Sequence, residues 1–310
     1  MTIAVIVYNC AKYLPIALES ALAQTHGNLE LLVLDDASTD GSLDIIKSFQ
    51  ARDDRVRLEV NPTNQGMGAA RGRSVQDASS EWVLVLDADD RLLPDCIETQ
   101  LGVAAGNPDA KVISGRSHYI SSSGERIGAS TVFPLSRKRL AELIEQSEPF
   151  AFMHSRTLLH RSTVLEVGNY RAQMRTCDDV DLWVRLAERG HLILTHSAFV
   201  AEYRKHPQAS AISTGLRGHL WYYWIASQMR NRKNGRPEGS LEDFEAAQKR
   251  LPLLEKLEWW RCILREQLYR EAGMLSGERA WMGVAWRLAL AFAIAPDFVA
   301  RRLWNRTFGG

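Results

Sequence analysis

Acidic side chains cluster at three points of this sequence where they can act together. The run Val83-Leu84-Val85-Leu86 leads straight into Asp87-Ala88-Asp89-Asp90. Two carboxylates flanking one small residue can offer oxygens to a single hard cation such as Mg²⁺ or Mn²⁺, which is often shared with substrate phosphates. Such a cation neutralises a diphosphate leaving group. The same triplet also serves as an ordinary helix cap, so its weight comes from the company it keeps. Leu31-Leu32-Val33-Leu34 ends in Asp35-Asp36, where a carboxylate can accept a hydrogen bond from a nucleobase N–H. Asp40-Gly41-Ser42 just beyond reads as a turn and helix cap. The third cluster, Asp178-Asp179 with Asp181, opens a helical pattern. Asp181 suits the positive end of the helix dipole. One of Asp178 and Asp179 can instead take a proton from an attacking hydroxyl.

Two further segments carry groups that fit phosphate. Asn64-Gln65-Gly66-Met67-Gly68-Ala69-Ala70-Arg71 places glycines before a helix, where backbone N–H groups favour an anion; an ordinary Gly-rich turn explains it equally well. In Tyr203-Arg204-Lys205-His206-Pro207, His206 becomes an extra metal ligand or phosphate contact if it lies near the Asp87–Asp89 pair. His154, His160, His191 and His196 have no comparable context and read as structural.

The elements that must position these groups alternate in period. Ile3 to Val7, Leu31 to Leu34, Val56 to Val60 and Val83 to Leu86 are short apolar runs of buried strands. Between them lie helical patterns over Leu14–Leu22, Ser42–Gln50 and Met67–Asp77, with another from about Pro94 to Ala105. This β-α order predicts an α/β fold with a mostly parallel central sheet and helices on both faces. Ligands in such sheets bind beyond the carboxyl ends of the strands, where both acid pairs fall. Lys111–Ile120 and His191–Val200 read as strands, and Asp179–Arg189 as an amphipathic helix.

Composition narrows the class further. The chain has 310 residues, 45% hydrophobic and 24% charged, with a formal net charge of +1. That supports a packed core and gives no general case for nucleic-acid binding. Four scattered cysteines, Cys10, Cys96, Cys177 and Cys262, form no CxxC pair, which argues against zinc and for a reducing compartment. The sequence enters its first strand with no signal-peptide pattern, and no run is long and clean enough for a transmembrane helix. A cytoplasmic protein is expected.

Taken in order, these motifs resemble glycosyltransferase family 2, inverting enzymes with the GT-A fold. The matching segments are Val7 to Leu14, Ser20 to Thr25, Val33 to Ser42, Asn64 to Arg71, Val85 to Asp90, Val167 to Tyr170, Asp178 to Leu186 and Tyr203 to Pro207. They cover roughly the first two-thirds of the chain. The resemblance implies a GT-A catalytic domain over 1–214, and the Trp, Arg and Leu at helical spacing beyond it predict a helical C-terminal region over 215–310. It implies Val7, Tyr8 and Asn9 lining a nucleotide pocket, Asp36 on the base (typically uracil), and Arg71 near the nucleotide or its phosphates. Asp87 would touch the ribose or metal side, and Asp89 would bind Mn²⁺ or Mg²⁺. Asp179 would be the catalytic base, with Asp178 the alternative. The implied activity is inverting transfer from a nucleoside-diphosphate sugar, UDP-sugar favoured, to a glycan or lipid-linked acceptor in surface polysaccharide or glycoconjugate assembly. Three positions depart from the family pattern: Ile6 for the usual Pro, Gly72 for Asn, and Asp178 for Glu.

Two rival functions use a similar fold. A sugar nucleotidyltransferase needs a Gly-rich, basic phosphate loop after the first strand, where this chain has Tyr8-Asn9-Cys10-Ala11-Lys12. A non-catalytic, nucleotide-sugar-binding relative is expected to lack acids that are all present here. Beyond Gly215 the sequence is rich in Trp, Arg and Leu, with Trp281 to Pro296 followed by Arg301, Arg302 and Arg306. These helices either pack on the catalytic domain or lie on an anionic membrane face. Arg287 and Pro296 argue against spanning.

Overall fold

A computed structural model describes residues 1–132, 135–206, 215–277 and 281–300. Pro207, Arg301, Arg302 and Arg306 lie outside the described residues. Four apolar runs become neighbouring strands because each is enclosed on both faces: β1 (Thr2–Val7), β2 (Glu30–Asp35), β3 (Val56–Val60) and β4 (Trp82–Asp87). Every residue of β1 is buried. β1 pairs in parallel with β2 and with β4, and β2 with β3. The alternation of side chains sends Ile3, Val5 and Val7 to one face, against α1 (Leu14–Leu22) and α2 (Ser42–Gln50). Ile6 turns to the other face, where Ala70 of α3 (Met67–Asp77) packs.

Beyond β4 the sheet changes character. After β5 (Arg91–Leu92) and α4 (Cys96–Gly106) come β6 (Ala110–Ile120), β7 (Arg126–Ala129) and α5 (Arg137–Gln146). β8 (Leu158–His160), α6 (Arg161–Glu166), α7 (Asp178–Glu188) and β9 (Leu192–Arg204) follow. The strand order is β3-β2-β1-β4-β8-β6-β9-β5, with β7 on β6. β8 runs antiparallel to β4 and β6, and β5 antiparallel to β9. The mostly parallel sheet expected is thus built on β1 to β4, with antiparallel pairings added by β8 and β5. The short β8 follows α5 and carries Leu158-Leu159, both buried, between β4 and β6.

The chain divides into two compact units, Met1–Tyr119 with Gly128–Arg204 and Ile120–Ile127 with Lys205–Gly310. The second unit contains α8 (Gly215–Lys233), α9 (Leu241–Lys249), α10 (Leu253–Gly277) and α11 (Trp281–Ile294). Trp221 and Trp224 meet edge to face, and Trp224 Nε1 donates to Gly239 O at 3.1 Å. Arg287 Nε pairs with Glu271 at 2.7 Å, tying α11 to α10. Among the described residues no helix is long and apolar enough to cross a membrane.

Candidate active site

The carboxyl ends of β1, β2 and β4 converge, and the loops leaving them are lashed together by side chains. Asn9 takes a left-handed conformation (φ 52°). Its Oδ1 accepts from Thr39 N at 2.7 Å, while its own N–H donates to Ser38 Oγ at 3.0 Å. Asp40 accepts from Ala11 N at 3.0 Å and Ser42 N at 2.9 Å, and these bonds hold its carboxyl below the usual range despite the opposing effect of burial. Val7 is wholly buried, and its carbonyl accepts from Asp36 N at 2.8 Å. Tyr8 is half-exposed at the rim. The Val7-Tyr8-Asn9 stretch therefore offers one ring and a fixed backbone edge rather than three side chains.

Asp36 is only 2% exposed. Its Oδ1 accepts from Asn61 Nδ2 at 2.6 Å and Gln65 N at 2.9 Å, and Oδ2 from Gly66 N at 2.9 Å. Three of a carboxylate's four acceptor positions thus pin the loop that leads into α3. Gly66 holds φ 87° at the helix entrance.

Arg71 organises the centre. It leaves the buried side of α3, and its Nη1 donates to both oxygens of Asp178, at 3.1 and 2.9 Å. Its Nη2 donates to Asp87 Oδ1 at 2.9 Å. One guanidinium thereby bridges the end of β4 and the start of α7. Burial opposes the Arg71 charge, but Asp178 and Asp87 more than offset this and raise its pKa above the ordinary value. The Asp87 carboxyl is raised by burial, with Arg71 pulling it down and Asp89 pushing it up. Asp90 is raised well above its usual range by burial and then by Asp89 and Asp87. Burial, and then Asp89, Asp40, Asp87 and Asp90, push the Cys10 thiol up to about 12.

The first turn of α7 sorts its three acids. Cys177 (φ 56°) turns the chain into the helix. Asp178 is 2% exposed and committed to Arg71. Asp181 binds Arg185 Nε at 2.8 Å, and Arg185 donates on to Val167 O and Asn169 O at 2.6 and 2.8 Å. Asp181 stands in the first turn of α7, as expected, and is tied there to Arg185. Asp179 remains partly open, with Oδ1 accepting from Val180 N at 2.8 Å. Burial first, and then repulsion from Asp178, pushes its carboxyl up to about 7. A carboxylate tuned near neutrality matches the needs of a general base.

Some neighbours of this centre carried no signal in the sequence beyond their polarity. His154 is buried with Nε2 2.7 Å from the Tyr170 hydroxyl, and its ring lies 5.7 Å from that of Trp183. Burial, then Arg71, holds its imidazole well below its ordinary pKa and therefore neutral. Ser155 Oγ accepts from Asp87 N at 3.1 Å and so sets the strand end. His206 belongs to the second unit and is buried.

Among the described residues, no three His, Cys, Asp or Glu side chains form a ready cage for a metal. The donor set nevertheless suits a hard divalent cation. Asp87, Asp89 and Asp90 supply only oxygen and repel one another, which added positive charge would relieve. Mg²⁺-type sites commonly use one or two carboxylates and complete the shell with substrate phosphate and water.

The model of the family described as "Glycosyl transferase family 2" matches residues 2–167. The putative glycosyltransferase EpsE of Bacillus subtilis is 29% identical over 187 residues, which cover 59% of this chain and 65% of EpsE. The chain thus matches less than two-thirds of that relative's length. The structure of Staphylococcus aureus TarS 1–349 in complex with UDP-GlcNAc is similar at a TM-score of 0.61 and 14% identity, over 86% of this chain and 80% of that one. The mannosyltransferase PcManGT of Pyrobaculum calidifontis, in complex with GDP-Man and Mn²⁺, is similar at a TM-score of 0.57 and 16% identity, over 97% and 77%. The fold is GT-A, with a helical C-terminal region.

Proposed function

The chain belongs to glycosyl transferase family 2, and from that premise we propose that it moves a sugar from a nucleoside-diphosphate donor to an acceptor hydroxyl with inversion. The observation that carries this reading is the division of labour in α7, where Arg71 consumes Asp178 and leaves Asp179 with a carboxyl pushed up to about 7. Asp179 accepts the proton of the acceptor hydroxyl. That oxygen attacks the anomeric carbon opposite the diphosphate, through an oxocarbenium-like transition state. Asp89, with Asp87 beside it, would hold Mn²⁺ or Mg²⁺, which neutralises the charge growing on the diphosphate. Tyr8 and the backbone of Val7 and Asn9 border the nucleotide. Asp36 shapes the base pocket by fixing the Asn61–Gly66 loop, and it keeps one acceptor position for a base N–H. Arg71 aligns the two acidic segments.

UDP is the favoured nucleotide. A thermal-shift panel of UDP-, dTDP- and GDP-sugars, each with and without Mn²⁺, is expected to show stabilisation by a UDP-sugar that disappears with EDTA. A metal-dependent shift with GDP- or dTDP-sugars alone would reassign the donor. No shift with any of them, in folded protein, would overturn the transferase reading.

The acceptor is proposed to be a glycan on a lipid carrier, reached from the cytoplasmic membrane face. Met282, Trp286 and Phe292 are exposed along α11, and Leu253, Leu254 and Leu257 along the start of α10. So much exposed apolar surface, with Lys256 and Arg261 on α10, suits an anionic interface. Full-length protein should co-sediment with phosphatidylglycerol-containing vesicles at low salt. Met282→Glu with Trp286→Glu should release it. Absence of co-sedimentation at low salt would remove the membrane from the proposal.

A further inference from the structure

A polar cavity in the first unit is lined by none of the acids described above. It has a volume of about 230 Å³, and its walls include Ser114, Tyr119, Ser130, Phe152, Arg156 and His196. This is below the ~300–1,000 Å³ of sites for drug-sized ligands and suits a single small ring. Hydroxyls, an aromatic face and a guanidinium are the groups that recognise a hydroxylated anion.

Arg156 is the unusual member. It is 3% exposed, yet among the described residues no carboxylate pairs with it. Its Nε and Nη2 donate to Gly115 O at 2.9 and 2.7 Å, and Nη1 donates to Ser155 O at 3.2 Å. Carbonyl oxygens are therefore its only partners, and two of its five N–H groups are left over. Buried charges are normally paired, because desolvation is costly. Asp90 exerts the largest acidic influence on Arg156 but makes no ion pair with it. Burial depresses the Arg156 guanidinium to about 10.

The backbone beneath this side chain is deliberately held. Arg156 has φ 82°, a conformation costly for any residue but glycine. Its N–H donates to Val85 O at 2.6 Å, and its carbonyl accepts from Gln100 Nε2. His196 Nε2 lies 3.0 Å from Gln100 Oε1 and completes the brace. A strained, unpaired, buried cation at the wall of a polar cavity is a group poised for a ligand.

We propose that this cavity binds a small oxyanion carried on, or comparable in size to, one sugar ring: the carboxylate of a uronic acid or a phosphate. Arg156 supplies the charge, the serine hydroxyls bind the remaining oxygens, and Phe152 covers a ring face. Phe152 also stacks on Trp183 of α7 at 4.7 Å, so an occupied cavity adjoins the helix that carries Asp179. The binding itself needs neither donor nor metal.

The test is a thermal-shift titration of the full chain with sodium glucuronate and with sodium phosphate, without metal, at ionic strength held constant with sodium chloride. Glucose is the uncharged control. A saturable upward shift with either anion, and none with glucose, is expected. Arg156→Gln should weaken it roughly thirtyfold or more, the scale for losing one partner of a buried charge pair. Thr131→Glu, which puts a carboxylate at the exposed rim, should also weaken it and provides the decision if Arg156→Gln does not fold. A response to glucuronate alone identifies a uronic acid, and one to phosphate alone a phosphorylated unit. No saturable shift in the parent, or an unchanged shift in the folded variants, overturns the proposal. A failed UDP-sugar panel would sink the donor assignment and leave this result untouched.

Discussion

Asp179→Asn should reduce kcat by roughly a hundred- to ten-thousandfold, the range supplied by a positioned general base, while donor affinity stays near the parent's. Asparagine preserves the size of the side chain but cannot accept the acceptor's proton. Single-turnover transfer and donor titration on the same preparation separate the two effects, and equal loss of both would sink the assignment. In the parent, kcat/KM should rise with pH up to about 7, because the base works only when ionised and that profile reports the free enzyme. Stability should move in the opposite direction. The Asp179 pKa is raised on folding from an ordinary 3.8 to about 7, so its stabilising contribution is complete below 3.8 and is lost as pH climbs through 7. The Asn variant does not titrate. It should gain on the parent across that window and show its largest advantage in Tm above pH 7. A catalytically dead variant that is also more stable at pH 8 is difficult to explain by misfolding.

Arg71→Met should be the most destabilising single change at the centre. The methionine fills much of the same space but leaves Asp178, 2% exposed, without its counterion. Breaking a buried ion pair from one side costs about 3–5 kcal/mol, or a fall of roughly 6–20 °C in Tm for a domain of this size. Arg71→Lys should recover only part of this, because one ammonium cannot reproduce a fork that reaches Asp87 and both oxygens of Asp178. Urea denaturation with an unchanged m-value provides the check. A loss below about 1 kcal/mol, the scale of surface pairs, together with a large drop in donor affinity, would show Arg71 to be a nucleotide contact instead of a strut.

The parts of the fold that were legible in the sequence are those governed by local rules. Ser42–Gln50 and Met67–Asp77 emerge as helices with the expected limits because turns and glycines bound them. β1, β2 and β4 were visible because strands covered on both faces must be continuously apolar. β8 and α5 were not visible. A three-residue strand has no period to detect, and Leu158-Leu159 acquires its identity from β4 and β6 on either side. The same distinction holds in the site. Asp87, Asp89 and Asp179 were readable as acids at element ends. The commitment of Asp178 to Arg71 was not, since that pair joins positions 107 residues apart. Nor was the internal use of Asp36, whose partners Asn61, Gln65 and Gly66 form a loop that only the folded chain brings to it.

Gly68, near the start of α3, lies against the segment that precedes α7. Its N–H donates to Met174 O at 3.0 Å. A Cβ there would stand 2.3 Å from Arg171 O and 2.6 Å from Met174 O, both backbone atoms with little room to yield. Every single-base change in a glycine codon that alters the amino acid introduces a Cβ, so no neighbouring codon offers a tolerated alternative. Drift at this position is blocked one step in any direction, and a lineage could leave glycine only after the 171–174 backbone had already moved away. The narrow gap between the two backbones thus acts as an inherited constraint on the order in which changes can accumulate around the active centre.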